Sequence, residues 1–428
     1  MALWTVHGDG RHLAEGDVVA PGERLSWPRT ISFGLQHAVT MFGATLLVPL
    51  LTGLPPTTTL LFSGLGTLLF LVITRNRVPC YLGSSQTYVA PLMANQAASA
   101  GGRTGGLLVS GVLITMVGVA VKALGARLVE SIMPPVVTGA VVILIGFNLA
   151  PIAVQSFNNE PGLASLTLFA VLLASALLRG FLSRIAVLIG VVTGWVLAAV
   201  SDNLDAGRLA AVHAADWVGL PPFVAPEFRP EIVLSMLPAV IVLVAENLGH
   251  VKAIAAMTGR NLDGSAGDAL IGNGLATALA GAGGGSGTTT YAENIGVMAA
   301  TRVFSTAAYV IAAVTALLLS FSPKFGALVN TIPSGVLGGA SMVLYGLIGL
   351  VGVRIWVENK IDLNDPVNLM VAGAALVAGI GNLTLTVFGA TIGGIAWGSL
   401  LIIVLHPLMR ALNTLRKDPA SPPTTPST

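Results

Sequence analysis

Between about residue 30 and residue 410 the chain alternates long apolar stretches with short polar joints. Most stretches have the length that crosses a bilayer, since a helix needs about 20 apolar residues to span the hydrocarbon. The pattern predicts spans over 31–51, 57–74, 105–121, 133–154, 163–178, 185–200, 232–251, 267–281, 303–321, 334–352, 367–380 and 386–408. Two further apolar stretches, 82–95 and 286–300, are shorter and interrupted by Gly, Ser and Thr. Counting both gives fourteen segments. Residues 1–29 are polar and show no cleavable signal peptide. The longest joint is 201–231, and the tail 412–428 has no apolar periodicity and reads as disordered.

Composition turns this pattern into a class. Of 428 residues 54% are hydrophobic and only 9% charged, and mean hydropathy is +0.84. A soluble domain carries about 25% charged residues. So few charges cannot cover a soluble chain of this size, and the reading is an all-α polytopic membrane protein. Cys80 is the single cysteine, which excludes an intramolecular disulfide and leaves no Cys-based metal site. No zinc or calcium pattern occurs, no cofactor is implied, and the basic residues form no nucleic-acid patch.

Charge sets the orientation. With a cytoplasmic N-terminus and fourteen crossings, only Arg103, Arg208, Arg229 and Lys324 of the 21 Lys and Arg fall outside. That bias is what the positive-inside rule expects, and dropping either short segment spoils it. Both termini are therefore expected in the cytoplasm, with the chain a multi-pass protein of the cytoplasmic membrane.

The two halves resemble each other weakly. GSSQTYVA at 83–90 resembles SGTTTYAE at 286–293, and PPVVTGA at 134–140 resembles PSGVLGG at 333–339, at nearly the same offset. Each half then holds seven segments, so the second is inverted relative to the first. Interrupted segments at matching positions of inverted repeats point to a transport site where they meet.

The candidate chemistry collects around 281–302, GAGGGSGTTTYAENIGVMAATR, where a helix-breaking run leads into Glu293. Glu in hydrocarbon is costly and functional by default. It has two readings, which are compatible: a capping residue favoured by the helix dipole, and a ligand contact. Backbone N–H groups at the start of the half-helix would face the cavity unpaired, together with Tyr291 and Ala292. Glu246 and His250 stand four residues apart and share one helix face. Either they belong to a wet helix end near Lys252, or they form the second half of the site. Two carboxylates without a cation could bind the N–H edges of a small heterocycle, and a proton on one of them is the natural coupling ion, with His250 able to share it. In the matching segment Ser84, Ser85 and Thr87 are read as satisfying freed backbone groups. Gln86 offers donor and acceptor to a cavity, and Gln36 and His37 are read as helix–helix hydrogen bonders. GAGGGSG lacks the Lys-Ser/Thr ending of a phosphate-binding loop. The Gly-x-Ser-Gly at 284–287 occurs almost free in such a run and is weak support for an intramembrane protease.

ENIGVMAATR at 293–302 fits the signature of the nucleobase–ascorbate transporter family, also called nucleobase:cation symporter 2. QHAVTMFGATLLVPLLTG at 36–53, YLGSS at 81–85, AENLGH at 245–250 and SPKFGALVNTIPSGVLGGASMVLYG at 322–346 resemble that family too. The initial Glu makes the resemblance strongest to its uracil and pyrimidine permease branch. The resemblance implies fourteen segments in two inverted sevens, with short antiparallel strands in segments 3 and 10. It implies a core domain of 30–128 and 232–322 and a gate domain of 129–200 and 323–411. It also implies that Glu246 and Glu293 hold the base, that backbone at Gln86 and Ala292 contacts it, and that Ala44, Tyr291 and Tyr345 pack around it. Glu246, His250 and Glu293 would carry proton coupling, and the functional unit would be a homodimer. Three positions depart from the branch: Gln86 replaces Phe, Ala292 replaces Gly, and Asn273 stands where many relatives are acidic.

The expected function is a proton-coupled symporter importing a nucleobase, uracil first, and not an enzyme. A purine symporter for xanthine or urate is the alternative. An anion transporter of the sulfate or bicarbonate type would share the architecture, but two carboxylates and no Lys or Arg would repel an anion.

Overall fold

The computed structural model describes residues 3–11, 13, 17–125, 134–387, 390–392 and 394–416. The joint at 126–133 and the tail from 417 onward lie outside the described residues. Prolines open many of the helices, as in Pro56–Ile73, Pro135–Asn148, Pro161–Leu177, Pro230–Thr258 and Pro366–Ile380. Their missing N–H falls where a helix has no partner for it. Gly53 and Gly259, at φ 70° and 62°, close Trp27–Thr52 and Pro230–Thr258 in the left-handed conformation that glycine adopts without penalty.

Among the described residues six helices are long and apolar enough to cross a membrane unaided. The total is seven if Thr306–Ser320 and Pro323–Val329, bent by 91°, count as one span. Side chains such as Val72, Val200 and Val377 are more than 70% exposed on the outer surface. An apolar exterior of this kind needs hydrocarbon around it. The shorter helices Pro161–Leu177, Ala186–Val200 and Pro366–Ile380 coincide with predicted spans.

The helices pack in two groups. In the first, Ala100–Leu124 lies along Ala266–Gly283, surrounded by Trp27–Thr52, Pro56–Ile73, Pro230–Thr258 and Thr306–Ser320. Glycines let the central pair approach: a Cβ on Gly111 would fall 2.2 Å from Ala278 N, and one on Gly118 would fall 2.7 Å from Ile271 N. Small residues at a helix crossing replace the hydrophobic driving force that lipid removes. In the second group Ser334–Glu358 packs against Pro135–Asn148, Ala150–Asn159 and Pro161–Leu177, with Pro366–Ile380 and Gly394–Arg416 behind.

The two short apolar stretches behave differently from the rest. Leu82–Ser84 and Thr288–Thr290 are strands that pair antiparallel, Leu82 opposite Thr290 and Ser84 opposite Thr288. Each leads into a half-helix, Val89–Ala94 after a 3-10 turn and Ala292–Thr301 directly.

Two expectations need correction, the start of the last span and the start of the tail. The last predicted span begins too early: Leu385–Val387 and Ala390–Ile392 form an antiparallel hairpin, and the helix runs from Gly394 to Arg416, past residue 412 where the disordered tail was expected to start. β-Branched residues around that turn favour the hairpin over a helix. The joint 201–231 contains a short helix, Ala206–Ala214, capped by Asp205, whose side chain accepts from Arg208 N. The polar N-terminal segment is folded: Thr5–Val6 pairs with Glu23–Arg24, and Val19 bridges to Val303.

Substituting Gly111 by Val tests the crossing. Overpacking a core costs about 1–3 kcal/mol, and here the added atoms meet backbone, which cannot swing aside. The variant is expected to lower the thermal midpoint in detergent and to reduce the monodisperse fraction. Val72→Ala on the lipid face is the control and is expected to be neutral. A Gly111→Val protein that melts like the parent contradicts the close approach.

Candidate functional site

The paired strands leave polar backbone and side chains in the middle of the first helix group, and side chains from both halves satisfy them. Tyr291 N donates to Tyr81 O at 3.1 Å, and Ser85 N donates to Gly287 O at 2.8 Å, extending the ladder at both ends. Ser84 Oγ donates to Thr45 O at 2.9 Å and accepts from Ser286 Oγ at 2.7 Å. Ser85 Oγ accepts from Thr87 N. Ser84 and Ser85 thus do the backbone-satisfying work that the sequence suggested. Gly83 is required by its neighbour, since a Cβ there would sit 2.3 Å from Tyr291 Cζ.

Tyr291 ends the strand and is the residue before the half-helix Ala292–Thr301. Its hydroxyl donates to Ser84 O at 2.9 Å and accepts from Thr45 Oγ1 at 3.0 Å, tying both strands to the first helix. No side chain caps the half-helix, so its first N–H groups lack partners within it. Glu293 stands in that first turn. Asn294 Nδ2 donates to His37 O at 3.0 Å and lies 3.1 Å from His37 Nδ1, so His37 is the helix–helix hydrogen bonder expected of it. Gln36, the other residue of that pair, makes no side-chain hydrogen bond among the described residues.

Glu246 lies well inside Pro230–Thr258, which removes the helix-end reading. His250, one turn on, faces the same way. Its Nδ1 is 2.7 Å from Thr290 Oγ1, and that hydroxyl donates to Asn247 Oδ1 at 3.1 Å. Asn247 Nδ2 donates to Leu243 O at 2.7 Å, which fixes the amide orientation. A hydroxyl has one proton to give, so Thr290 accepts from His250 Nδ1–H. A neutral His250 therefore keeps its lone pair on Nε2.

These elements enclose a cavity of about 360 Å³. Ala44, Gln86, Glu246, His250, Tyr291, Ala292 and Glu293 all line it. Glu246 and Glu293 come from different helices, and no Lys or Arg lines the cavity. Among the described residues neither carboxylate is ion-paired. The Gln86 amide also has no hydrogen-bond partner among them. Tyr345 is the predicted residue that the structure does not place on the wall. The lining positions of Ser334–Glu358 are Leu344, Leu347, Ile348, Val351 and Ile355. That stripe leaves Tyr345 a residue off, buried, with its carbonyl 2.7 Å from where a Gly146 Cβ would stand. Sequence reasoning missed Asn247, Thr290, Thr45 and this apolar stripe. Asn247 directly follows Glu246 in AENLGH and was the available signal. Asn273 is buried behind the strands and its Oδ1 accepts from Thr288 Oγ1 at 3.3 Å.

A second cavity, about 530 Å³, lies beyond the 3-10 turn and is lined by Asn95, Asn148, Glu231, Ser235 and Asn382 among others. Thr87 is the one residue common to both walls. A third, about 150 Å³, shares Ala44, Glu293, Leu344 and Leu347 with the central cavity and adds Arg184.

Tyr291→Phe removes the hydroxyl that joins Thr45 to Ser84 O. A buried acceptor left unmade costs about 1–3 kcal/mol. The variant is expected to melt lower in detergent by a corresponding margin, read in a thermal-shift series against the parent. An unchanged melting curve shows that the hydroxyl does not tie the strands to the first helix.

Known proteins place this architecture. The family model described as Permease family matches residues 28–388. Pyrimidine permease RutG of Escherichia coli strain K12 is 47% identical over 409 residues, 92% of each chain. Uracil permease of the same strain is 36% identical over 413 residues, 94% of this chain and 96% of its own. Uracil permease of Bacillus caldolyticus is 39% identical over 398 residues, 89% and 91%. Two solved structures share the fold at low identity. The murine anion transporter Slc26a9 has a TM-score of 0.67 at 12% identity, over 91% of this chain and 69% of its own. The transmembrane domain of the cyanobacterial bicarbonate transporter BicA has 0.58 at 17%, over 83% and 96%. The predicted all-α membrane fold is therefore correct, and relatives named as permeases place the chain among transporters, not enzymes. The chain belongs to the nucleobase–ascorbate transporter family of permeases and is a multi-pass membrane protein.

Proposed function

We propose that the protein imports a nucleobase, uracil first, by proton-coupled symport across the cytoplasmic membrane. One observation carries the reading. Glu246 and Glu293, both without a cation, line one small cavity together with the N-terminus of a half-helix. Carboxylates accept hydrogen bonds from ring N–H groups, and backbone N–H groups donate to ring carbonyls, so a cyclic ureide presents the complementary edge. The relatives named as uracil and pyrimidine permeases support the same cargo. The apolar stripe from Leu344 to Ile355 and the Tyr291 ring supply the faces for a planar base. A purine such as xanthine or urate is the second reading, favoured by one residue: the unpartnered Gln86 amide can meet an additional polar edge.

The coupling ion in this reading is H⁺, carried by the carboxylate pair with His250 as a partner. Alternating access accounts for two cavities separated at Thr87. The central one extends toward Thr138 and Ile355, beside Arg354, on the side that the charge bias assigns to the cytoplasm. The other faces the opposite way. The first helix group then acts as the core domain and the second as the gate. The mirrored packing of Ala100–Leu124 on Ala266–Gly283 and of Thr306–Ser320 on Pro56–Ile73 supports an inverted repeat of fourteen segments. Both termini are assigned to the cytoplasm, and a homodimer is the working unit that the family resemblance implies.

Uptake of radiolabelled uracil, thymine, xanthine and urate into cells, with and without an uncoupler, tests the reading. Uracil is expected to accumulate and the uncoupler to abolish the accumulation. Accumulation of xanthine or urate alone selects the purine reading, and indifference to the uncoupler removes the proton. Glu293→Gln is expected to abolish uptake with expression intact, and near-normal uptake takes this glutamate out of the site. Glu246→Gln loses one charge-assisted hydrogen bond of about 1.5–3 kcal/mol, so uracil affinity is expected to fall about ten- to a hundredfold in equilibrium binding. Gln86→Phe is expected to narrow the panel toward uracil, and an unchanged panel shows that Gln86 does not select the base.

A further inference from the structure

Thr306–Ser320 has 15 residues. At about 1.5 Å per residue it covers about 22 Å, short of the roughly 30 Å of hydrocarbon that a span must cross. The next helix, Pro323–Val329, does not make up the difference, because the chain bends by 91° between the two. Val314, Leu318 and Phe321 are exposed at successive turns, so they form one outward stripe that runs to the helix end. The N-terminal segment marks the other end, where Trp4 Nε1 donates to Thr306 Oγ1 at 2.7 Å.

At Phe321 the stripe meets the joint that follows Ala206–Ala214. Gly219 N donates to Phe321 O at 2.9 Å, and Lys324 N donates to Asp216 O at 3.0 Å. The approach is close: a Cβ on Gly219 would fall 2.8 Å from Pro323 Cγ. The large side chains around Gly219 stay uncovered, with Trp217, Val218 and Leu220 exposed by 75%, 81% and 76%. Lys324 Nζ donates to Ala215 O at 3.4 Å and stands 4.9 Å from the Trp217 ring. Water is a costly surrounding for three large apolar side chains in one patch.

We propose that Trp217–Leu220 is an interfacial lipid anchor: its backbone lies at headgroup depth, and Trp217, Val218 and Leu220 enter the top of the acyl chains of the leaflet opposite the N-terminal segment. The charge bias makes that the outer leaflet. Three observations commit the patch to lipid. It continues the lipid-facing stripe of Thr306–Ser320, so the surroundings of Leu318 and Phe321 extend to it. It lies over the end of a helix too short to span, where it adds apolar height to the band that the helix leaves incomplete. Its composition suits the boundary: an irregular backbone is not tolerated bare in hydrocarbon, and a Trp ring beside a Lys places an apolar body inward and a cation among the phosphates. A second copy of the chain would cover the same side chains but gives no reason for the patch to begin where that stripe ends. The anchor matches the first helix group to a bilayer thickness that Thr306–Ser320 alone would not fill.

The test uses the full chain carrying Val218→Cys, labelled with a nitroxide and reconstituted in dioleoylphosphatidylcholine vesicles. Cys80 is buried, so the parent serves as the labelling blank. Oxygen dissolves in hydrocarbon and a polar nickel chelate stays in water, so their collision rates with the label report its surroundings. The label at position 218 is expected to meet oxygen at least about threefold more often than nickel, as a label on the lipid-facing Val72→Cys does, and the reverse is expected for His213→Cys on Ala206–Ala214. In vesicles with the shorter dimyristoleoyl chains nickel access at position 218 is expected to rise, since a thinner hydrocarbon layer recedes from the loop. Nickel access equal to that of His213→Cys in dioleoyl vesicles puts the loop in water and overturns the anchor. Exclusion of both reagents marks a second copy of the chain as the occupant and overturns it equally. Trp217→Phe gives a measure that needs no label. The fluorescence it removes from the parent is expected to be quenched by lipids brominated high on the acyl chain and not by iodide, and quenching by iodide alone overturns the proposal.

Discussion

The structure depends on one constraint, that backbone which leaves the helix inside a bilayer must find its hydrogen bonds within the protein. Leu82–Ser84 and Thr288–Thr290 leave the helix at the same depth and satisfy each other. Neither strand could stand alone there, so each half of the chain completes the other. Thr45, Ser63, Thr67 and Thr277 then close the remaining positions: Ser63 Oγ donates to Leu82 O at 2.6 Å, Thr67 Oγ1 accepts from Leu82 N at 2.9 Å, and Thr277 Oγ1 accepts from Thr288 N at 3.1 Å. The Ser and Thr content of helices that are otherwise apolar follows from this requirement.

The cavity is a consequence of the same break. Where a strand gives way to a half-helix, the first N–H groups have no partner within the helix, and space opens in front of them. Glu293 occupies that first turn, and Pro230–Thr258 brings Glu246 and His250 to the opposite side. Thr290 links the two sides: its backbone belongs to the ladder, while its hydroxyl accepts from His250 and donates to Asn247. Displacing the strand therefore displaces the histidine, which connects the fold to the site through two hydrogen bonds.

Much of this was legible in the chain because the costs involved are local. Costly residues in apolar surroundings, Glu246, Glu293 and Gln86, identified the cavity wall, and the Gly and Thr runs identified the strands. What stayed hidden depends on rotation and on distant partners. Tyr345 shares a helix with the lining stripe but sits one position off it, and without the fold no phase can be assigned to that helix. Gly219 and Phe321 are 102 positions apart in sequence, and nothing local marks either; a loop glycine has no visible partner until the chain folds. The hairpin Leu385–Val387/Ala390–Ile392 was hidden for another reason: its apolar residues continue the following helix, so hydropathy alone merges the two.

The fold by itself does not choose the cargo. Proteins known as an anion transporter and a bicarbonate transporter share it at 12% and 17% identity. A pair of half-helices that begin near the middle of the bilayer would present positive dipole ends to the site, a natural seat for an anion. Here a carboxylate sits in the first turn of the second half-helix and another faces it from Pro230–Thr258. They cancel that potential and replace it with hydrogen-bond acceptors. In the proposed reading the same scaffold takes a neutral, N–H-bearing ring in place of an anion, with a proton carried beside it. In that proposal the same two side chains select cargo and coupling ion, and the remaining choice, between one ring and another, would fall to Gln86, which follows the opposite strand and lines the cavity.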